Sequence, residues 1–580
     1  MRAVSIIFLI LSFIITEAGL SKENRISGIL VNQVGYLTHG RKLALLVNIP
    51  SNIRKKPVSL IEKESKRVVF KVYPKNPVKD KQTGDLIQQL DFSSFNQKGI
   101  YFLKLDSYIS YPFKIGDKVF MEPMIKMIRS YYLQRCGIKI DDPITHISHP
   151  PCHLQDAIVA HTDPFHKAGE HLCVKGGWHD AGDYGKYIAT ASVSVGQLLH
   201  LFEQRPKFFG DGQLLYPDYL LDEHGKPENN NSIPDLLDEL RFELNWMLSM
   251  QREDGAVYRK VAGKRWPPLV PPHKDNQARF IYGVSTPETA KFAAAMAMAA
   301  RIYYGYDPSF ANRCLSAAKK AWNYLIKHPS MYVEWYEGDD SGSGKYLYSE
   351  IDRESSLLTD LDDRFWAAAE LFITANSKSA KLFIDKYIKE LPYSIFEWKN
   401  PSSLGLLDLY LCKKVDASLR NIIRQKIISY ADQALNRIEH SGYKIANHRF
   451  IWGSNKMTAE EGITLYYAYQ ITKKKAYLYA AIDQIDYLLG RNPFNKCFVT
   501  GIGSNPVKNP CHIFCRASHI YIPGQLVGGP NEMAQAKIAP KNKGPLSYKD
   551  DARSYATNEY AIDYNASLIC LMGLILDKQD

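Results

Sequence analysis

The sequence predicts a mainly α protein in which a small all-β sandwich precedes an antiparallel array of helices. From about Ser21 to Gly116 the apolar residues come in short β-type runs, Ile29 to Val31, Leu43 to Val47, Val68 to Val72 and Ile100 to Leu105, parted by Pro, Asn and Gly. After Met121 they recur with a 3.6-residue period over long stretches: Ile233 to Met250, Thr286 to Tyr304, Pro308 to Ile326, Arg364 to Ala375, Ala417 to Ile438, Ala459 to Ile471 and Lys475 to Leu489. Tight joints such as Tyr304 to Pro308 link neighbouring stretches, which makes successive helices antiparallel. The Gly- and Pro-rich segments 501–510 and 523–544 are too long to be mere connectors, and long loops on a rigid scaffold are where function concentrates.

A length of 580 residues with 45% hydrophobic and 23% charged side chains closes a large core and excludes wholesale disorder. Lys and Arg outnumber Asp and Glu by 73 to 61, but no basic block interrupts the chain, so nucleic acid is not an expected partner. Arg2, the apolar run Ala3 to Ile15 and the small residues Ala18 and Gly19 have the pattern of a secretory signal peptide over residues 1–20. No cysteine follows that run, and no later apolar stretch approaches the ~20 residues of a membrane span. The expectation is a secreted or periplasmic monomer with no membrane contact once the signal is removed.

The densest chemical signal is GGWHDAGDYGKY, residues 176–187, where Asp180 and Asp183 lie three apart among glycines that let backbone approach a ligand. Two acids so spaced can share one water. The alternative is an Asp-Gly turn capping the helix that follows at Ile188. Far downstream, Asn558 to Asn565 opens the last helix and puts Glu559 in its first turn, where a glutamate also suits the helix dipole. Nine cysteines leave at least one unpaired. Cys136, Cys152, His153 and His179 supply a Cys2His2 set of the kind that zinc takes, against a Cys136–Cys152 disulfide with ordinary histidines. A disulfide within the trio Cys497, Cys511 and Cys515 is expected, and Cys173, Cys314, Cys412 and Cys570 are expected in the core.

Six ordered segments carry a resemblance: ILVNQVGY at 29–36, NSIPDLLDELRFELNWML at 231–248, WGSN at 452–455, LLGRNPFNKCFVTGIG at 488–503, LVGGPN at 526–531 and YKDDARSYATNEYAIDYNA at 548–566, together with the 176–187 loop. Through them the chain resembles glycoside hydrolase family 9, the β-glucan hydrolases, in the subgroup with an N-terminal immunoglobulin-like domain. The resemblance implies an immunoglobulin-like sandwich over 21–116 that buttresses an (α/α)6 barrel over 117–580, with a cleft that hydrolyses β-1,4-glucosidic bonds with inversion. It makes Asp183 the base, Asp180 a second holder of the same water, and Glu559 the acid, with no organic cofactor. Inversion needs one ionised and one protonated carboxyl about 6.5–9.5 Å apart.

As substrate-binding positions it points to Trp178, Tyr184, Trp452, His512, Arg516 and Tyr555. The segment Asn509 to Ser518 departs from the family's Pro-His-His-Arg element by about three extra residues. Trp246, Trp266 and Trp366 are further candidates to stack on sugar faces or to pack in the core. The resemblance also implies a structural zinc at Cys136, Cys152, His153 and His179, and calcium at Asp362 and Asp363, for which an acidic helix start is the alternative. The rival functions are an exo-acting β-glucosidase or glucosaminidase on short oligosaccharides, and a non-catalytic carbohydrate-binding protein.

Overall fold

The computed structural model describes residues 25–344 and 358–576, so the expected signal peptide lies outside the described residues. Ten strands come first: β1 (Gly28–Leu30), β2 (Gly35–Tyr36), β3 (Leu43–Val47), β4 (Val58–Glu62), β5 (Val68–Val72), β6 (Val78–Lys79), β7 (Leu86–Asp91), β8 (Gly99–Leu105), β9 (Tyr108–Ile109) and β10 (Phe113–Ile115). They form two sheets, β1-β3-β7-β6 and β2-β10-β8-β4-β5 with β9 on β8. Ala44, Leu46, Leu60, Phe92, Leu103 and Phe113 close the space between them.

Strand β3 is buried at every position because its two faces meet different partners. Ala44 and Leu46 enter the sandwich core, while Leu45 and Val47 join Leu30, Leu37 and Ile87 in the core of the helical body. Double burial is why Leu43 to Val47 reads as a continuous apolar run rather than an alternating one. Polar ties flank this contact: Arg41 to Asp483 at 2.6 Å, Asn32 to Asp486 at 2.9 Å and the Tyr443 hydroxyl to Asp85 at 2.7 Å.

The helical body contains α1 (Met121–Tyr132), α2 (Ile188–Gln204), α3 (Asp235–Ser249), α4 (Thr286–Tyr303), α5 (Pro308–Lys327), α6 (Leu361–Ala375), α7 (Lys378–Tyr387), α8 (Ser402–Leu411), α9 (Ala417–His440), α10 (Ser454–Thr472) and α11 (Lys475–Leu488). The short α12 (Ile513–Ser518) and α13 (Tyr555–Asn558) and the last helix α14 (Ile562–Ile575) complete it. Helices α2, α4, α6, α8, α10 and α14 are buried nearly all round. They form an inner ring, in which α14 packs on α2 and α10, α2 on α4, α4 on α6 and α6 on α8, with α9 spanning α8 and α10.

Among the outer helices α5 and α9 each bury one stripe, α9 with Leu419, Ile423, Ile427, Ala431, Ala434 and Ile438. This is the (α/α)6 arrangement. Helix α8, buried along nearly its whole length, carries no 3.6-residue contrast and does not stand out in the sequence, whereas α1 and α7 are amphipathic but run for only 12 and 10 residues. The sequence places Glu559 in the opening turn of the last helix, but Glu559 has extended backbone (φ −85°, ψ 140°) and α14 starts three residues later.

Between the ring and the surface lie the hairpin β11 (Ile140–Asp141) and β12 (Ser148–His149), and a sheet of β13 (Ile158–Val159), β14 (Lys186–Tyr187), β15 (Val257–Gly263) and β16 (Arg279–Ser285), ordered β13-β16-β15-β14. Because Leu45 belongs to a sandwich strand but packs in the core of the helical body, Leu45→Ala is expected to cost about 2–5 kcal/mol. Calorimetry should show sandwich and barrel melting together at a lower temperature; a sandwich that melts separately while the barrel keeps its midpoint would contradict this interface.

Candidate active site

The 176–187 loop leads into α2, and the segment carrying Glu559 leads into α14, so two inner helices present the acids at one end of the ring. Gly182 is what lets the parts meet: a Cβ there would stand 2.7 Å from the His512 Cα and 2.9 Å from the Cys511 carbonyl oxygen. Backbone bonds lock the approach, Ile513 N–H to the Gly182 carbonyl at 3.1 Å and Ile562 N–H to the Asp180 carbonyl at 2.9 Å. Glu559 is extended because it is flanked by other chains: Cys511 N–H donates to the Asn558 carbonyl at 2.7 Å, and Gly528 N–H to the Glu559 carbonyl at 2.8 Å. Neither aspartate caps α2, whose N-cap is Tyr187.

Asp183 is 7% exposed, Asp180 and Glu559 only partly so, and the three carboxyls lie close enough to perturb one another. Burial, then the Asp183 and Asp180 charges, push Glu559 well above the ordinary glutamate range, opposed only by the Gly182 N–H. Burial also raises Asp183, but the Tyr187 hydroxyl, the Gly185 N–H and the Arg279 guanidinium pull it back. Tyr187 donates to Asp183 Oδ2 at 2.6 Å. The other oxygen of that carboxylate, Oδ1, and Asp180 Oδ1 are buried without a hydrogen-bond partner. Lys456 pairs with Asp563 at 2.8 Å and sets one opposing charge beside Asp180. Tyr187 and Lys456 are not singled out by the sequence. Tyr187 sits inside the densest motif, four residues beyond Asp183 at the end of β14, whereas nothing local marks Lys456.

The expected substrate positions divide. Trp452 is half-buried and its ring lies 5.7 Å from that of Tyr555, which is 41% exposed and starts α13 just ahead of Glu559. Arg516 is exposed beside Cys511, whose thiol in turn lies near Glu559. Three positions are corrected. Trp178 is 1% exposed, its indole N–H donating to Glu239 at 2.7 Å and its backbone N–H to Glu243, so it anchors the loop from behind. Tyr184 is equally buried, with its hydroxyl on the Val270 carbonyl at 2.8 Å. His512 is buried against Gln134, and burial with His179 nearby lowers its pKa to about 3, leaving it neutral. Trp246 and Trp366 are core residues.

Cys136, Cys152, His153 and His179 converge behind the same loop. The Sγ–Sγ distance is 3.9 Å, too long for a disulfide, and the two ring nitrogens stand 3.3 Å apart. A tetrahedral ion with metal–sulfur bonds near 2.3 Å and metal–nitrogen bonds near 2.0 Å would set these edges at about 3.8 and 3.3 Å. The two measured Sγ–N distances, 3.6 and 3.8 Å, fall in the same range. The far nitrogen of His153 faces Asp275 at 3.5 Å, in the manner of a carboxylate that orients a ligating histidine. These residues fit a metal ion.

The expected calcium position does not: Asp363 is fully buried against the Lys291 ammonium at 2.5 Å, so a fixed cation is already there. Asp362, buried beside it, is raised to about 6 by that burial. All nine cysteines are free, including the trio expected to hold a disulfide, and Cys173 is exposed and Cys412 half-buried rather than core.

The description of glycosyl hydrolase family 9 matches residues 120–572, and that of the cellulase N-terminal ig-like domain matches residues 25–110. Endoglucanase D of Acetivibrio thermocellus is 32% identical over 564 residues, spanning 95% of this chain and 83% of that protein. Among solved structures, a metagenome-derived glycoside hydrolase family 9 endoglucanase is 40% identical with a TM-score of 0.88, over 95% of this chain and 99% of that one. A Zn-binding triple mutant of another family 9 endoglucanase is 34% identical with a TM-score of 0.86, over 94% of this chain and 100% of that one. With helical body and sandwich both matched, the chain belongs to glycosyl hydrolase family 9 and is a glycoside hydrolase.

Proposed function

We propose that the chain cleaves internal β-1,4-glucosidic bonds of cellulose or a related β-glucan with inversion, using Asp183 as base, Asp180 as second holder of the attacking water and Glu559 as acid. The observation that carries the reading is the pair of buried, unpartnered oxygens, Asp183 Oδ1 and Asp180 Oδ1, beside a glutamate held protonated. Two such acceptors can take both protons of one water and aim its lone pair at the anomeric carbon. The Asp183 carboxylate removes a proton as the bond forms. Glu559 donates its proton to the departing glycosidic oxygen and ends as the carboxylate. Trp452 and Tyr555 offer flat, accessible faces next to the acid for a sugar ring.

Two properties around this reaction belong to the same reading. Zinc suits the Cys2His2 set, which sits directly behind the loop of the base, and its role there is to hold that loop. The chain divides at about residue 116, with residues 1–20 a signal peptide and the enzyme acting outside the cytoplasm as a monomer. Among the described residues no helix is long and apolar enough to cross a membrane.

A time course on a soluble β-1,4-glucan should give oligosaccharides of mixed length from the wild type. Glu559→Gln and Asp183→Asn should each lower turnover by about 10²–10⁴-fold. Release of single units from chain ends would make the enzyme exo-acting, and no release from any glucan would make the substrate class wrong.

The pH profile follows from the two opposed groups. Activity is lost below the pKa of Asp183, which must be ionised, and above that of Glu559, which must be protonated. Removing the Tyr187 hydroxyl takes away a bond to the Asp183 anion, so Tyr187→Phe should move the acid limb of kcat/KM upward by about one pH unit. A limb that stays put would remove Tyr187 from the account.

Metal analysis of the purified chain should find zinc in a one-to-one ratio. Cys136→Ser or Cys152→Ser should lose it and melt about 5–10 °C lower. Retention of zinc by both variants would place the metal elsewhere.

A further inference from the structure

Residues 511–513 are bonded both to the loop of the base and to the segment of the acid. The Ile513 N–H donates to the Gly182 carbonyl at 3.1 Å, while the Cys511 N–H donates to the Asn558 carbonyl at 2.7 Å. Cys511 also pairs with Glu559 in a parallel bridge. Bridge partners lie in chains about 4.8 Å apart with their side chains on one face, so the Cys511 thiol is carried against the Glu559 carboxyl. Arg516 follows on the short helix α12, exposed, with its guanidinium within hydrogen-bonding reach of the same thiol. The acid and a fixed cation therefore share one neighbour. Among the described residues the charges that act on Glu559 are those of Asp183 and Asp180, and no cation joins them. The pair of Lys456 and Asp563 acts on Asp180 instead. Burial pushes the Cys511 thiol up to about 12, so the group that the two share is uncharged at neutral pH. Asp551, the remaining charge near that thiol, is paired with Arg553 at 2.7 Å.

We propose that Cys511 is a positioning residue whose uncharged side chain fills the place through which the Arg516 guanidinium would otherwise reach the Glu559 carboxyl. This rests on the reading of Glu559 as the acid. A cation within about 4–6 Å of a carboxyl lowers its pKa by about one to three, which would strip Glu559 of the proton it must donate. A thiol suits the place because it has volume but is only a weak donor, so it stabilises the glutamate anion little. Gly182 fixes that side chain from behind, since a Cβ there would stand 2.9 Å from the Cys511 carbonyl oxygen and push the segment away.

The test is the pH profile of kcat/KM of the full chain on a soluble β-1,4-glucan, read at the basic limb, which reports Glu559. Cys511→Ala opens the way for Arg516 and should move that limb down by about one to three pH units. Cys511→Val, which keeps an uncharged side chain of similar size, should leave the limb within about half a pH unit of the wild type. In the double variant Cys511→Ala/Arg516→Gln the limb should return to the wild-type position, and Arg516→Gln alone should leave it there, whatever either does to KM. An unmoved limb in Cys511→Ala would overturn the proposal. So would a limb that stays low in the double variant, since the arginine would then not be the cause. An upward shift in Arg516→Gln alone would overturn it as well, because the guanidinium would already act on Glu559; that variant changes an exposed side chain and does not depend on how Cys511→Ala folds. The residual activity of Glu559→Gln separates the two readings. If its basic limb matches the wild type, Glu559 is not the acid and the role of Cys511 falls with it; if that limb is gone while Cys511→Ala is unmoved, only the role of Cys511 falls.

Discussion

Three carboxyl groups held in one partly buried pocket repel one another and lose their hydration, and much of the surrounding structure exists to keep them there. No covalent tie does so; the nine cysteines are free. Backbone bonds to the Asp180 and Gly182 carbonyls hold the loop from the front. From behind, Trp178 is gripped by Glu239 and Glu243, and Glu239 is neutralised by Arg135, which also pairs with Glu228. Lys186 and Arg279 share Asp156 and bind the carbonyls of Val174, Gly176 and Tyr184. Each of these groups is buried with its partner, so removing one would leave a charge uncompensated.

The same pocket separates the two roles that inversion needs. Asp183 and Glu559 are pushed upward by the same burial, so burial alone cannot tell them apart. What does is the number of donors: Asp183 has the Tyr187 hydroxyl, the Gly185 N–H and a nearby guanidinium, whereas Glu559 has the Gly182 N–H. The better-solvated carboxylate gives up its proton first, and its charge then helps to keep the other protonated.

The sandwich takes part in this through β3. Because one face of that strand belongs to each core, the sheet is the floor on which α11 and the 488–505 segment rest. Gln33 shows the continuity: its backbone N–H donates to the Leu489 carbonyl at 2.9 Å, and its side-chain oxygen accepts from Asn505 N–H at 2.7 Å. Order in the sandwich therefore reaches the glycine-rich loops that frame the Glu559 segment.

What the sequence determined by itself was the material with a local cause. The period of most of the long helices, the β-type runs, the Asp-Ala-Gly-Asp loop and the Cys2His2 set are all legible because spacing or residue type alone dictates them. Tertiary structure decided the rest. Trp178, Tyr184 and His512 lie in conspicuous motifs yet face inward, because hydrogen-bond partners far along the chain claim them. Asp363 is an acid at a helix start until Lys291, seventy-two residues earlier, is brought against it by the packing of α4 on α6. Glu559 sits on extended backbone because residues 511 and 528 flank it, and no local propensity encodes that. Periodicity records which side of an element is buried, but only the closed ring decides which groups bury it.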